Sequence, residues 1–98
     1  MKAFTALRIV ELAGSEAGAY ATKLFADHGA SVIRVEPVGG DPRRSEGVDW
    51  GGTGTTWAYL NTSKQSCQLD LTSAAGRAAL MGLLDGADVV VESVSPDP

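Results

Sequence analysis

The sequence has little cysteine and histidine: Cys67 and His28 are the single residue of each type among 98 residues. One cysteine cannot form a disulfide within the chain, and these two residues do not make the Cys/His cluster of a zinc site. His28 lies near the end of a predicted helix and is interpreted as a helix-end or packing residue. We therefore predict no metal site, and this composition indicates no catalytic residue.

Long apolar runs and an excess of positive charge are also lacking. No run of about eighteen apolar residues is present, so no membrane-spanning helix is expected. The N-terminal stretch MKAFTALRIVELAG lacks the apolar segment and cleavage site of a signal peptide, which favours a cytoplasmic protein. The net charge of -4 argues against nonspecific binding to nucleic acid, which needs a basic surface. The composition, 44% hydrophobic and 20% charged, is typical of one small globular domain.

Short apolar runs alternate with stretches of helical periodicity. The predicted strands are RIVEL (8–12), SVIRVE (31–36), QSCQLDL (65–71) and DVVVE (88–92). The third alternates as a strand near a sheet edge does, and the β-branched fourth indicates a parallel strand buried on both faces. A helix that stops at Gly29 is predicted after the first strand, and Thr72 or Ser73 can cap a second helix that runs to about Asp85.

This alternation predicts an α/β fold: a Rossmann-like parallel sheet with flanking helices, corresponding to the first half of a doubly wound domain. Residues 1–98 are interpreted as a single domain. Residues 37–56, rich in Gly and Pro, are interpreted as a long loop that is functional or mobile. Because half of such a sheet normally packs against its other half, an exposed sheet edge is expected, as in a piece of a larger protein.

Ligands of open parallel sheets bind beyond the carboxyl ends of the strands. This rule selects four segments, Gly14–Gly18, Pro37–Arg44, Leu69–Thr72 and Ser93–Ser95. The first leads into a helix N-terminus, where free N–H groups favour an anion. Arg34, Arg43, Arg44 and Lys64 lie in or next to these loops. They could form a basic rim for a phosphorylated ligand, or they could simply be solvated surface charges.

Glu36 raises the alternative of an NAD-binding oxidoreductase domain. It ends the second strand about where a dinucleotide-binding fold keeps its ribose-binding acid. However, Gly14–Gly18 does not follow the GxGxxG pattern, and the Glu16 carboxylate would lie where a pyrophosphate binds. Residues 51–56 resemble a phosphate cradle but lack the GK[ST] ending of a P-loop, so we interpret them as a flexible loop.

Taken in order, these segments resemble a known family. GASVIRVEPVGGDPRR (29–44) and NTSKQSCQLDL (61–71) are similar in order and spacing to class III CoA-transferases, the CaiB/BaiF family. The likeness runs from about Arg8 to Glu92, with RIVELAG at its start and ADVVVE at its end. The resemblance implies an enzyme that moves CoA between carboxylic acids, or a related 2-methylacyl-CoA racemase. It also implies that the parent protein is an interlocked homodimer.

The resemblance further implies which residues contact CoA. Carried over, they are Glu16, Ala17, Leu69, Asp70, Leu71, Thr72, Ser93, Val94 and Ser95. The implied substrates are an acyl-CoA and a small carboxylic acid, with no metal. The family's nucleophilic aspartate lies well downstream of the matched region, so this chain alone is expected to be inactive. A noncatalytic dimerisation or scaffold module of the same fold is the alternative.

Overall fold

A computed structural model describes residues 3–12 and 14–92 of the chain. Its elements are β1 (Arg8–Leu12), α1 (Glu16–Asp27), β2 (Ser31–Glu36), a 3-10 helix (Pro42–Ser45), β3 (Asp49–Trp50), β4 (Thr53–Gly54), α2 (Thr55–Asn61), β5 (Gln65–Gln68), α3 (Ala74–Asp85) and β6 (Val89–Val91). The strands and helices predicted from the sequence are all present, although β5 ends three residues earlier than predicted.

The two long helices begin at serine caps. The Ser15 hydroxyl accepts a hydrogen bond from Gly18 N at 3.1 Å, and the Ser73 hydroxyl accepts one from Gly76 N at 2.9 Å. These bonds satisfy N–H groups that a helix leaves unpaired in its first turn. After α1, Gly29 adopts a φ of +104°, the left-handed conformation that ends many helices.

Four strands form one parallel sheet in the order β5-β2-β1-β6. Within this sheet β1 is the first strand along the chain, β2 the second, β5 the third and β6 the fourth. The spatial order is therefore 3-2-1-4. This is the order at the start of a Rossmann-type doubly wound sheet. The predicted fold class, a Rossmann-like parallel sheet with flanking helices, is therefore confirmed. The carboxyl ends of all four strands point to the same side of the molecule.

The core is small and is centred on β1 and β2. Ile9 and Val32 pack with Ala26 and Ala30 in a buried cluster. The prediction that the last strand is buried on both faces is wrong: Val89 and Val90 of β6 are 41% and 46% exposed. The physical reason is that β6 lies at the edge of the sheet and pairs only with β1 among the described residues.

The segment between β2 and α2 contains short elements. Pro42 begins the 3-10 helix, and the Asp41 carboxylate accepts a hydrogen bond from Arg43 N at 2.9 Å. β3 and β4 then form a two-stranded antiparallel ribbon. Its turn passes through Gly51 and Gly52, both with positive φ. Residues 51–56, interpreted from the sequence as a flexible loop, thus supply this turn, β4 and the first two residues of α2.

Candidate functional site

An apolar cavity of about 310 Å³ opens at the carboxyl ends of β1, β2 and β5. Its lining residues are Leu12, Val35, Glu36, Pro37, Val38, Leu69, Asp70, Leu71 and Thr72. Most of the lining surface is carbon. The cavity lies at the edge of the sheet where open parallel α/β folds bind their ligands.

The predicted contact residues divide into three groups. Leu69, Asp70, Leu71 and Thr72 all line the apolar cavity. Glu16 and Ala17 are exposed at the start of α1 and are not part of its lining. Ser93, Val94 and Ser95 lie outside the described residues.

A second cavity adjoins the turn that leads into α1. It measures about 270 Å³ and is lined by Gly14, Pro37, Asp41 and Arg43. Pro37 lines both cavities. The turn that leads into α1 and the apolar cavity therefore belong to one continuous rim.

Sequence reasoning missed part of the apolar lining. Val38 belongs to the selected segment Pro37–Arg44, but Leu12 and Val35, at the carboxyl ends of β1 and β2, lie outside all four selected segments. The signal that could have found them is an apolar residue at the carboxyl end of each of two neighbouring parallel strands.

One wall of the cavity is shaped by Asp70. Its carboxylate accepts hydrogen bonds from both the backbone N–H and the hydroxyl of Thr72, and its carbonyl accepts one from the Ser73 hydroxyl at 2.9 Å. The bonds from Thr72 lower the pKa of Asp70 below its ordinary value, so the carboxylate is charged at neutral pH. Asp70 thus fixes the bend between β5 and α3.

The opposite wall is a tight turn. Gly40 N donates to the Pro37 carbonyl at 2.9 Å, and Gly39 has a φ of +93°. Glycine adopts this conformation without the cost that a Cβ would add. The turn is held at its tip by Gln68, whose side-chain oxygen accepts from Gly39 N at 3.1 Å. At its base, Asp41 N donates to Glu36 Oε1 at 2.8 Å.

Both carboxylate oxygens of Glu36 are engaged. Arg44 Nε donates to Oε1 at 2.7 Å and Arg44 Nη2 donates to Oε2 at 2.6 Å. Burial by itself would raise the pKa of Glu36, but the bonds from Arg44 and Asp41 N and the charge of Arg34 lower it below the ordinary value. Glu36 is 1% exposed, so it is not available to accept the hydroxyls of a ribose. This contact argues against the NAD-binding alternative.

A cluster of buried charges lies under α1 and α2. Arg34 donates to Glu11 and, at 2.7 Å, to Asp41, and Lys64 Nζ lies 2.9 Å from Glu11 Oε1. The hydroxyl of Thr22 also donates to Glu11, at 2.8 Å. The side chains of Arg34 and Lys64 are 1% and 2% exposed. For these two residues, neither sequence interpretation holds: they are neither a basic rim nor solvated charges.

Burial and pairing act against each other on Lys64. Removal from water lowers its pKa below the ordinary lysine value, and the hydrogen bond and charge of Glu11 offset part of that effect. Asn61 Oδ1 and the Ala19 carbonyl accept further bonds from Nζ, at 2.9 Å and 3.0 Å. Lys64 therefore ties α2 and the start of β5 to α1 and β1.

The adjacent arginines face carboxylates. Arg44 is bound to Glu36, and Arg43 Nη1 donates to Glu46 at 3.0 Å. The Arg44 guanidinium also lies 4.9 Å from the centre of the Trp57 ring, and that of Arg34 lies 4.7 Å from the same ring. These contacts give Arg43 and Arg44 a structural use within the protein.

Within residues 3–12 and 14–92, no three or more His, Cys, Asp or Glu side chains are grouped as they would be around a metal ion. No helix in the same part of the chain is long and apolar enough to cross a membrane.

Comparison with known proteins decides the family. The profile of CoA-transferase family III matches residues 5–98. The chain belongs to this family. Two segments on which the resemblance was based contribute to the two sides of the apolar cavity: VEPV at residues 35–38 and LDL at residues 69–71.

Two curated members of CoA-transferase family III show the level of similarity. A subunit (BbsE) of succinyl-CoA:(R)-benzylsuccinate CoA-transferase from Thauera aromatica is 38% identical over 101 residues, which cover 95% of this chain and 24% of that protein. Succinyl-CoA:mesaconate CoA-transferase from Haloarcula hispanica is 40% identical over 99 residues, which cover 95% of this chain and 25% of that protein.

Solved structures of the family have the same fold. A CAIB/BAIF family protein from Brucella suis superposes with a TM-score of 0.80 at 35% identity, over 89% of this chain and 24% of that one. A hypothetical protein from Mycobacterium tuberculosis superposes with a TM-score of 0.87 at 31% identity, over 98% of this chain and 26% of that one. The chain thus spans about a quarter of the length of the proteins it matches.

Proposed function

We propose that this chain is the N-terminal CoA-binding part of a class III CoA-transferase, an enzyme that moves CoA between carboxylic acids. The observation that supports this most directly is the apolar cavity at the strand ends, whose two sides include the segments that resemble the family's motifs. A volume of about 310 Å³ is at the lower end for ligand pockets, so the cavity would receive one end of a CoA molecule.

The transfer itself needs a carboxylate nucleophile. In the proposed reaction an aspartate attacks the acyl carbon of the acyl-CoA, and the CoA thiolate leaves as a mixed anhydride forms. The thiolate then attacks the aspartyl carbonyl, which releases the free acid and gives an aspartyl-CoA thioester. The resemblance assigns that aspartate to no residue of this chain. We therefore propose that the 98-residue chain binds CoA and does not transfer it.

The proposed partners are an acyl-CoA and a small carboxylic acid, and the proposed location is the cytoplasm. The names of two relatives specify succinyl-CoA as a substrate of those enzymes, which supports a thioester of this type. We also propose that the parent protein is an interlocked homodimer. The exposure of Val89 and Val90 on an edge strand is compatible with further protein covering that edge.

The remaining predicted contacts belong to the same proposal. Glu16 and Ala17 begin α1 beside the Gly14 turn, where the helix N-terminus favours an anionic part of CoA. Glu16 stands where transferases often carry a glutamine, and its carboxylate opposes an anion there. Ser93, Val94 and Ser95 follow the last strand and complete the proposed set.

The test is an NMR titration of the amide signals of this chain with CoA. We expect the shifts to be concentrated at Glu16, Ala17, Asp70, Thr72 and Ser93. A matched pair of variants sharpens the assignment. Leu71→Asn places an amide on the apolar lining and is expected to weaken binding, whereas Val48→Asn changes a residue that is 75% exposed and lies outside the lining.

Two outcomes would contradict the proposal. A folded chain whose signals do not move at millimolar CoA would not be a CoA-binding part. If that chain also formed a concentration-dependent dimer, the noncatalytic dimerisation module would be the better description. Equal weakening by L71N and V48N would show that the apolar cavity is not the binding site.

A further inference from the structure

Two segments face each other across the apolar cavity, and one side-chain hydrogen bond joins them. The main-chain bonds between β2 and β5 end where Leu69 N donates to the Glu36 carbonyl at 2.9 Å. Beyond that bond, Pro37 and Val38 line one side of the cavity and Leu69–Thr72 line the other. Gln68 reaches across at this point, because its Oε1 accepts from Gly39 N at 3.1 Å.

The tip of the turn at Pro37–Gly40 has little packing of its own. Val38 is 69% exposed, and a Cβ placed on Gly39 would meet no atom within 4 Å. A turn in open solvent samples several positions unless hydrogen bonds hold it. One hydrogen bond, from Gly40 N to the Pro37 carbonyl, lies within the turn, and the contact with Gln68 is the one that links the tip to the opposite side of the cavity.

The base of the turn is held independently of Gln68. Asp41 N donates to Glu36 Oε1 at 2.8 Å, and Arg44 holds the same carboxylate through two hydrogen bonds. These groups are anchored on β2 and on the 3-10 helix. Loss of the Gln68 side chain would free the tip of the turn and leave its base, and the fold, in place.

We propose that Gln68 is a positioning residue for CoA, and that its carboxamide fixes the Pro37–Gly40 turn at the spacing the ligand needs. This inference rests on the proposed function. Gln68 is exposed and is not part of the cavity lining, so it acts through the turn and not by touching the ligand. A side chain on the neighbouring strand thus sets the width of the binding cavity.

The test compares three variants of the 98-residue chain. Q68L removes the acceptor, and Q68E keeps an acceptor for Gly39 N. The matched control is Q65L, an identical substitution at an exposed residue on the same strand and outside the cavity lining. The probes are adenosine and pantetheine, the uncharged parts of CoA, so that the charge added by Q68E does not act on phosphate groups.

The relevant probe is whichever of adenosine and pantetheine binds to the wild-type chain. We expect Q68L to weaken the binding of that probe by about five-fold, the effect of one lost hydrogen bond. Q68E and Q65L should bind within about two-fold of the wild type, a change smaller than the loss of one such bond. Hydrogen exchange of the Gly39 amide should accelerate in Q68L alone, while the melting temperatures of Q68L and Q65L stay alike. The exchange measurement reports on the turn without any ligand.

Several results would overturn the inference. Wild-type affinity in Q68L, or an equal loss in Q65L, would show that Gln68 does not position the turn for the ligand. An unchanged Gly39 exchange rate would show that the hydrogen bond does not hold the tip. A lower melting temperature in Q68L alone would show that Gln68 stabilises the fold as a whole and does not act specifically on the turn. A wild-type chain that binds neither fragment would instead contradict the proposed function, and this result is separate from the others.

Discussion

Gly76 in α3 lies directly against the backbone of Asp70: a Cβ at Gly76 would stand 1.8 Å from the Asp70 carbonyl oxygen. No side chain fits that space, and the obstacle is backbone that cannot rotate away. The absence of a side chain at Gly76 therefore allows α3 to pack against the bend that forms one side of the apolar cavity.

We predict that Gly76→Ala destabilises the fold and weakens CoA binding, because the added methyl must displace the bend at Asp70. The matched control is Gly82→Ala in the same helix, where a Cβ would meet nothing within 4 Å. That change should raise the free energy of unfolding by about 0.5 to 1 kcal/mol through helix propensity. Urea unfolding of both variants measures the difference, and equal stability in G76A and G82A would contradict the prediction.

The second prediction concerns acid stability and Glu36. Its pKa is lower in the folded chain than the ordinary value of 4.5. The stabilisation it provides is therefore fully present above that value and is lost as the pH falls through the folded pKa. Glu36→Gln should lower the free energy of unfolding by about 2 kcal/mol at pH 7, since the amide keeps one acceptor oxygen but loses the negative charge and the bond from Arg44 Nη2.

The difference between E36Q and the wild-type chain should shrink below about pH 4, the range in which an unperturbed glutamate titrates. The control is Glu46→Gln, which removes the half-exposed partner of Arg43. It should change the free energy of unfolding at pH 7 by less than about 1 kcal/mol. A difference between E36Q and wild type that is constant from pH 7 to pH 3 would show that the Glu36 carboxylate does not titrate as described.

Replacing either of the two tryptophans by alanine should have very different effects on the free energy of unfolding. Trp57 is 7% exposed and has two guanidinium groups at 4.7 Å and 4.9 Å from its ring centre, whereas Trp50 is 83% exposed. Trp57→Ala should cost about 3 to 5 kcal/mol of stability, as the loss of a buried aromatic does, and Trp50→Ala should change stability by less than about 0.5 kcal/mol. Chemical denaturation checks both values.

Tryptophan fluorescence gives an independent measure of the burial of Trp57 and the exposure of Trp50. W50F retains the buried indole, so its emission should be shifted to shorter wavelength and poorly quenched by acrylamide. W57F retains the exposed indole and should be quenched readily. Similar quenching of the two variants would show that the ring of Trp57 is not enclosed.

The fourth prediction compares two lysines. Lys64→Met removes a buried partner of Glu11 and should lower the free energy of unfolding by about 3 to 5 kcal/mol, because a buried charge loses one of its partners. Lys23→Met removes a lysine that pairs with the partly exposed Asp27 and lies over the Tyr59 ring, and it should have a smaller effect because the carboxylate left behind is still in contact with water. Thermal and urea unfolding of the two variants measure this difference. Equal decreases in the free energy of unfolding would contradict the burial of the Glu11–Lys64 pair.

The alternation of strands and helices was predictable from the sequence because it depends on local spacing. Ser15 and Gly29 mark the two ends of α1 through hydrogen bonding and backbone conformation within a few residues. The parallel sheet followed because two strands joined by a single helix pair in parallel. The order of the strands within the sheet also agrees with the Rossmann pattern.

Features that depend on distant residues were not predictable in the same way. Val89 and Val90 have the composition of a buried strand, yet their exposure depends on whether another element covers β6. Arg34 and Lys64 look like surface charges along the sequence, and only the fold brings both to Glu11. The strand-end rule selected the cavity residues at Pro37, Val38 and Leu69–Thr72, whereas Leu12 and Val35 lie inside strands and only the fold shows that they line the cavity.

The position of β1 in the middle of the sheet has a consequence for the order of folding. β2 follows β1 after one helix, whereas the pairing of β1 with β6 joins residues 80 positions apart, such as Ile9 and Val89. Closing a longer loop costs more chain entropy and slows pairing. We therefore expect β1 and β2 to pair early and β6 to dock late. Between these two steps, one edge of β1 would stay open to solvent and to other chains.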